Sequence, residues 1–240
     1  MNVFEHDHAH GKFENWTQKY CRNFFPGFSD NLYVNSEICY QHLEDFDNYK
    51  DKTLLLVGGG PSSSLIDFDN ISYDYLWSMN QFYLNKKLSN KKIDLVMIMG
   101  ETKLDEIRTY RDRYSPKIGF EIHPRWNNYE FDNYNQYFCM HTRFYGKIGI
   151  GARMLIFASA LGFKNIIFCG LDGPESIVKG DHAFEPGKTT LPSCFVNQNL
   201  SAIVNEFKYQ YDFLWNYIHQ LYPLTEFYNI GHKSIYHEKA

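Results

Sequence analysis

The chain has 240 residues, of which 44% are hydrophobic and 18% aromatic, enough to bury a core and too many for a disordered chain. Lys and Arg number 24 against 28 Asp and Glu, so the formal charge of −4 lacks the basic excess of a nucleic-acid-binding protein. No apolar run is long enough to cross a bilayer and the first twelve residues do not resemble a signal segment, so we expect a cytoplasmic protein without a transmembrane segment.

The spacing of apolar residues in 1–50 predicts helices. Four aromatic residues at helical spacing would form one stripe: Phe13, Trp16, Tyr20 and Phe24. A second, short helix would be capped by Ser36 and would carry Ile38, Leu43 and Phe46. We interpret this region as an N-terminal helical extension packed on the core. The alternative is a separate arm that binds a partner.

The rest of the chain alternates between apolar runs and helical patterns. Six runs are typical of strands: Thr53–Val57, Tyr75–Met79, Asp94–Met99, Tyr137–His141, Asn165–Gly170 and Glu226–Ile230. Three segments are typical of helices: Thr102–Tyr114, about Gly151–Leu161, and Asn199–Tyr222. Because the strands lack polar alternation, we predict an α/β fold: one doubly wound, mostly parallel, Rossmann-like domain over residues 51–240. Residues 172–197 are rich in Gly, Pro, Ser and Thr, and we expect this long loop to be a lid.

The segment Leu54–Ser64 runs from a strand through three glycines into a helix start. Gly58, Gly59 and Gly60 allow a sharp bend and close approach to a ligand, and Pro61 suits a first helical turn. We expect the amides of Ser62 and Ser63 to face an anion such as phosphate. The motif is neither the dinucleotide fingerprint nor the P-loop. The alternative is a tight structural turn.

Asn80 and Gln81 directly follow the second predicted strand. In an open parallel sheet, ligands bind beyond the carboxyl ends of the strands, so Asn80 and the glycine turn should converge. An amide side chain donates to phosphate or sugar oxygens and accepts from hydroxyls. The alternative is an asparagine that caps the following turn.

Asp172 and His182 follow the strand that ends near Gly170. A carboxylate and an imidazole here can hold Mg²⁺, orient a sugar hydroxyl or act as general acid and base. We assign no metal site. The Asp67–Asp69 pair is interpreted as an acidic turn, and the five scattered cysteines form no zinc motif or disulfide framework.

Three blocks carry a resemblance to known families: LLLVGGGPSSSLIDFD, SMNQFY and GIGARMLIFASALGFKNIIFCGLDG. They resemble bacterial family 42 sialyltransferases and the related motility accessory factor and 6-hydroxymethylpterin diphosphokinase group. The resemblance implies a variant glycosyltransferase A fold. It also implies that the cytidine monophosphate part of a donor is bound by Gly58, Gly60, Pro61, Ser62 and Asn80.

The resemblance also implies roles elsewhere in the chain. Gly151 matches the glycine of a Ser-Gly pair that holds the sugar carboxylate, whereas Ile150 replaces the serine. Lys233 and Ser234 resemble a terminal nucleotide-side loop, in which Lys233 would touch phosphate. The sialyltransferase histidine has no counterpart within 183–218, so His182 is the nearest candidate base.

We therefore expect an enzyme, a glycosyltransferase that uses a nucleotide-activated sugar. The donor would be cytidine monophosphate-linked sialic acid or another nonulosonate, and the acceptor a surface glycan. This reading requires no cofactor. The alternatives are an ATP-dependent diphosphokinase that needs Mg²⁺ with Asp172 as ligand, and an inactive nucleotide-binding protein. Nucleic acid is not an expected partner, and a homo-oligomer stays open.

Overall fold

The structure is a computed structural model that describes residues 33–34, 38–39, 48–98, 104–121, 137–140, 149–173 and 199–231. The first two strands, β1 (Tyr33–Val34) and β2 (Ile38–Cys39), pair antiparallel in a small two-stranded sheet. The prediction that Ile38 lies in a helix is therefore wrong, because Ile38 pairs with Val34 in this sheet. The predicted cap at Ser36 lies outside the described residues. The predicted aromatic stripe of residues 13–24 lies outside the described residues.

The core is a seven-stranded sheet of order β7-β6-β5-β4-β3-β8-β9. Its strands are β3 (Thr53–Val57), β4 (Tyr75–Met79), β5 (Leu95–Ile98), β6 (Lys117–Glu121), β7 (Tyr137–Met140), β8 (Asn165–Cys169) and β9 (Glu226–Asn229). Every neighbouring pair is parallel, which confirms the predicted parallel α/β sheet. The sequence analysis missed β6, since KIGFE carries charges at both ends and a central glycine and forms no apolar run.

Within the described ranges, three α-helices connect the strands: α1 (Leu104–Tyr114), α2 (Ile150–Ala160) and α3 (Leu200–Leu221). Asn199 caps α3, since its side chain accepts a hydrogen bond from the amide of Ala202 at 2.8 Å. The chain leaves α2 through Gly162, whose φ of +85° is the left-handed conformation expected after a helix. Of the helices described, none combines the length and apolar character needed to cross a membrane.

Alternate side chains of each strand point to opposite faces of the sheet, and each face has its own core. On one face, Leu54, Leu56 and Trp77 pack with α2 and α3. On the other face, Leu55 and Val57 pack with the 3-10 turns and with Tyr110 of α1. Helical segments thus cover both faces, which confirms the doubly wound arrangement.

The strand order changes direction between β3 and β8. From β3 the chain adds β4, β5, β6 and β7 on one side, and then α2 returns it to the other side, where β8 and β9 follow. The carboxyl ends of β3 and β8 therefore form the switch point at which open α/β sheets bind ligands. The predicted glycine turn and Asp172 come directly after these two strands.

We predict that Phe157→Ala lowers the free energy of unfolding by about 3–5 kcal/mol, the usual cost of a large cavity in a core. Phe157 is fully buried on α2, and its ring centroid lies 5.7 Å from that of Trp77. Urea denaturation followed by circular dichroism measures the change. Leu224→Ala is the control, because Leu224 is 86% exposed and its truncation should change stability by no more than about 0.5 kcal/mol. Equal effects of the two substitutions would contradict this core.

Candidate functional site

The backbones that leave β3 and β8 touch directly. The amide of Gly58 donates to the carbonyl of Cys169 at 2.9 Å, and the amide of Gly60 donates to that of Gly170 at 2.9 Å. A Cβ atom on Gly170 would lie within 3.0 Å of the Gly58 backbone, and Gly170 has a φ of +71°. Only glycine fits such a crossing, because any side chain would meet main-chain atoms that cannot move aside.

Ser62 links the glycine turn to the segment after β8. Its amide donates to Asp172 Oδ2 at 2.8 Å, and its Oγ accepts from the amide of Gly170 at 2.9 Å. Both bonds are buried, and they join residues more than a hundred positions apart in sequence. A Cβ on Gly60 would overlap the Asp172 carboxylate, so the glycine at this position makes room for the carboxylate.

The amides of Ser62 and Ser63 were expected to face an anion, but both are hydrogen-bonded within the protein. The Ser62 amide is taken by Asp172, and the Ser63 amide donates to the Gly60 carbonyl at 3.1 Å within the 3-10 turn Pro61–Ser64. The physical reason is that buried amides find acceptors within the protein. The residue Gly59 is partly exposed. Within the described part of the chain, its amide has no hydrogen-bond acceptor.

Asn80 and Gln81 follow β4, next to β3 in the sheet, as predicted. Asn80 has a φ of +48°, a left-handed conformation that asparagine tolerates better than most residues, and its amide donates to the Met97 carbonyl at 3.0 Å. The carbonyl of Gln81 accepts from the Leu84 amide at 3.0 Å, at the start of a 3-10 turn. Both residues are partly exposed, so a ligand can reach them at this edge.

Asp172 is buried, with 6% of its surface exposed. Its Oδ2 holds the Ser62 amide, whereas its Oδ1 is buried and has no hydrogen-bond partner among the residues that the structure describes. Burial and, to a smaller degree, the nearby Asp172 carboxylate raise the pKa of Cys169 to about 12. The Cys169 thiol is therefore neutral near pH 7 and is not a candidate nucleophile.

The sequence analysis missed Arg153, which lies in the first turn of α2 and is 2% exposed. Its Nη1 donates to the carbonyl of Gly149 at 3.0 Å, so the guanidinium lies at the amino-terminal end of the helix. In the same turn, a Cβ on Gly151 would overlap the side chain of Leu171. The one sequence signal for Arg153 was a single charge within the apolar run of α2, and its burial could not be deduced from that.

Several predicted site residues lie outside the described residues: His182, Lys233, Ser234 and, of the predicted lid at 172–197, residues 174–197. For the Asp67–Asp69 pair, the structure shows a turn, in which the Asp67 carboxylate accepts from the Asp69 amide at 3.2 Å and Asp69 pairs with Lys91. Within the described ranges, no three His, Cys, Asp or Glu side chains are grouped so that they could hold a metal ion. The structure thus brings together Gly58–Ser62, Asn80, Gln81 and Asp172 at one edge of the sheet.

Comparison with solved structures finds a likeness to the sialyltransferase CstII from Campylobacter jejuni, determined in complex with the substrate analogue CMP-3FNeuAc. The two chains share 15% sequence identity, the match covers 76% of this chain and 82% of that chain, and the TM-score is 0.48. A likeness at this level does not assign a ligand or a reaction. No protein-family model matches the chain, and no curated protein sequence matches it.

We predict that Asp172→Ala lowers the free energy of unfolding by about 1–3 kcal/mol, because it leaves the buried Ser62 amide without its acceptor. Asp172→Asn should cost less, since an amide oxygen can still accept that bond. Urea denaturation of both variants measures the difference. The matched control is Asp69→Ala, which removes a carboxylate that is 81% exposed and should cost at most about 1 kcal/mol. The assigned bond would be disproved by an Asp172→Ala variant as stable as the wild type.

Proposed function

We propose that the protein is a glycosyltransferase whose nucleotide-activated sugar donor binds at the switch point between β3 and β8. The proposed donor is a cytidine monophosphate-linked sialic acid or another nonulosonate, and the proposed acceptor is a hydroxyl of a surface glycan. The observation that carries the proposal is the glycine turn at this position, in which Gly59 is partly exposed and its amide has no acceptor among the described residues.

The shape of the turn supports binding of an anionic group near Gly59. Gly59, Gly60 and Pro61 are partly exposed, so a phosphate can approach their backbone without displacing the buried bond between Ser62 and Asp172. A backbone amide that points to an anion makes a charge-assisted hydrogen bond, which is stronger than one between neutral groups. The phosphate would therefore approach the Gly59 side of the turn, away from the Asp172 carboxylate.

Asn80 supports the nucleotide reading from the neighbouring strand. The left-handed backbone at φ +48° ends β4 abruptly, and the residue is partly exposed at the carboxyl edge. Its side-chain amide has both a donor and an acceptor, so it can bind a phosphate, a ribose or a base. This position beside the glycine turn agrees with the sequence resemblance, in which the two segments share one nucleotide.

The proposed reaction is attack of an acceptor hydroxyl on the anomeric carbon of the donor sugar, with the nucleotide as leaving group. The hydroxyl proton would pass to a general base, for which we propose His182, and hydrogen-bond donors would stabilise the charge on the leaving phosphate. Asp172 would hold the segment after β8 in place through Ser62, and Lys233 and Ser234 would lie near the nucleotide. No metal ion is required in this scheme.

One observation favours a second candidate, an ATP-dependent diphosphokinase. The Oδ1 atom of Asp172 is buried and has no hydrogen-bond partner among the described residues, and a carboxylate oxygen is a ligand that Mg²⁺ prefers. A polyphosphate donor needs a cation to screen its charge. Dependence on Mg²⁺ therefore separates the two candidates.

We predict that cytidine monophosphate raises the melting temperature of the full chain equally in excess EDTA and in Mg²⁺, because the proposed site needs no metal ion to bind the nucleotide. A fluorescence thermal-shift assay with cytidine monophosphate, uridine diphosphate and ATP measures this. Stabilisation by ATP with Mg²⁺ alone would overturn the glycosyltransferase in favour of the kinase. Stabilisation by a nucleotide, without sugar transfer from any donor tried, would indicate an inactive nucleotide-binding protein.

We predict that Asn80→Gly weakens cytidine monophosphate binding by about 5- to 10-fold, roughly the loss of one hydrogen bond. Glycine accepts the left-handed backbone of Asn80, so this substitution removes the side chain without adding strain. Alanine would remove the side-chain amide and strain the backbone at the same time. Isothermal titration calorimetry measures the affinity. The matched control is Asn90→Gly, at an exposed turn between β4 and β5, which should leave binding unchanged. Unchanged binding in Asn80→Gly would exclude this side chain from the site.

A further inference from the structure

We propose that two lysines, Lys86 and Lys87, form a positively charged rim that attracts the phosphate of a nucleotide ligand to the glycine turn. The lysines of this rim would act through their charge while the ligand approaches, and the amide of Gly59 would hold the phosphate once it has arrived. This inference rests on the proposed function, because it specifies how an anionic donor reaches the site at the switch point.

The distribution of charge along the chain is the first argument. Residues 80–93 contain four lysines and neither aspartate nor glutamate, although the whole chain has a formal charge of −4. This segment begins at Asn80, directly after β4, at the carboxyl edge of the sheet. A local excess of positive charge in an acidic protein attracts anions to that part of its surface.

The ion pairs of the segment are the second argument. Two of its four lysines pair with carboxylates: Lys91 with Asp69, and Lys92 with Asp94. The other two, Lys86 and Lys87, are exposed and form no ion pair with any residue that the structure describes. The uncompensated positive charge of the segment therefore lies on the 3-10 turn Lys86–Leu88.

A series of hydrogen bonds that links this 3-10 turn to the glycine turn is the third argument. Asn85 is buried, with 3% of its surface exposed, and its Oδ1 accepts from the amide of Lys87 at 3.1 Å. Its Nδ2 donates to Ser63 Oγ at 3.2 Å. The Ser63 hydroxyl in turn donates to the carbonyl of Gly60 at 2.9 Å. Three consecutive hydrogen bonds thus fix the lysine-bearing turn relative to the glycine turn.

The fixed position of the rim makes its charge effective. The turn Lys86–Leu88 is in contact with the turn Pro61–Ser64, which directly follows Gly60. Electrostatic attraction in about 0.1 M salt extends about 10 Å, farther than the separation between two turns in contact. The ammonium groups therefore act on an anion that approaches the glycine turn. A neutral ligand gains nothing from them.

The test is isothermal titration calorimetry of the full chain at low ionic strength with cytidine monophosphate and with cytidine, which lacks the phosphate. Lys86→Gln/Lys87→Gln should bind cytidine monophosphate about 3- to 10-fold more weakly than the wild type does, the range for two exposed charge interactions. Cytidine should bind to both proteins equally, since it carries no charge. High salt should remove the difference seen with cytidine monophosphate.

Two further variants separate the charge of the rim from other effects. Lys86→Arg/Lys87→Arg keeps both charges and should bind cytidine monophosphate as the wild type does. Lys50→Gln/Lys52→Gln makes the same change in net charge at two exposed residues that precede β3, at the opposite edge of the sheet, and should also bind normally.

Four results would overturn the rim. The first is wild-type affinity for cytidine monophosphate in Lys86→Gln/Lys87→Gln. The second is an equal loss with cytidine, the third is a loss that persists in high salt, and the fourth is an equal loss in Lys50→Gln/Lys52→Gln. Each of these would show that the charge at this place does not attract the phosphate.

Inorganic pyrophosphate separates failure of the rim from failure of the proposed function. If no nucleotide binds to the wild type, the proposed function fails, and pyrophosphate is titrated in place of cytidine monophosphate. The wild type and Lys50→Gln/Lys52→Gln should then bind pyrophosphate more tightly than Lys86→Gln/Lys87→Gln does at low ionic strength. Equal binding by all three proteins, or binding by none, would overturn the rim as well.

Discussion

The contact between the backbones that leave β3 and β8 is the constraint on which the rest of the site depends. Gly58 and Gly170 approach so closely that neither can carry a side chain, and this brings Asp172 within hydrogen-bonding distance of the Ser62 amide. The buried bond then fixes the 3-10 turn after Gly60 and the segment after β8 relative to each other. One close approach of two main chains thus positions groups that are far apart in sequence.

That constraint also decides which side of the glycine turn can accept an anion. The Asp172 carboxylate occupies the side that faces Ser62, and a second negative charge beside it would be repelled in a partly buried setting. Gly59 is partly exposed, and it follows β3, the strand beside β4 in the sheet. Two amides of this turn, those of Gly58 and Gly60, hold the crossing together, and the amide of Gly59 is left for a ligand. The interpretation as a structural turn and the interpretation as a phosphate site are therefore compatible.

The sequence predicted those parts of the fold that depend on local pattern. Apolar runs such as Thr53–Val57 are buried on both faces of the sheet, so their composition alone indicated covered, parallel strands. The strand Lys117–Glu121 escaped detection because its outer residues are charged, and pairing with β5 and β7 stabilises it instead. Ile38 shows the opposite failure. The pattern around it predicted a helix, whereas Ile38 lies in a short strand that pairs antiparallel with β1.

The sequence predicted which residues reach the site but not the hydrogen bonds between them. Spacing after strands shows that Asn80 and Asp172 reach one edge of the sheet, because parallel strands end together. It does not show which buried amide takes which acceptor: the Ser62–Asp172 bond depends on a crossing between strands that are distant in sequence. Arg153 is the clearest case. A lone arginine in an apolar helix can point to solvent or inward, and only the packing of α2 against Leu171 places this turn, and with it the charge, beside the switch point. The sequence shows that this charge exists, and only the packing of α2 shows where it lies.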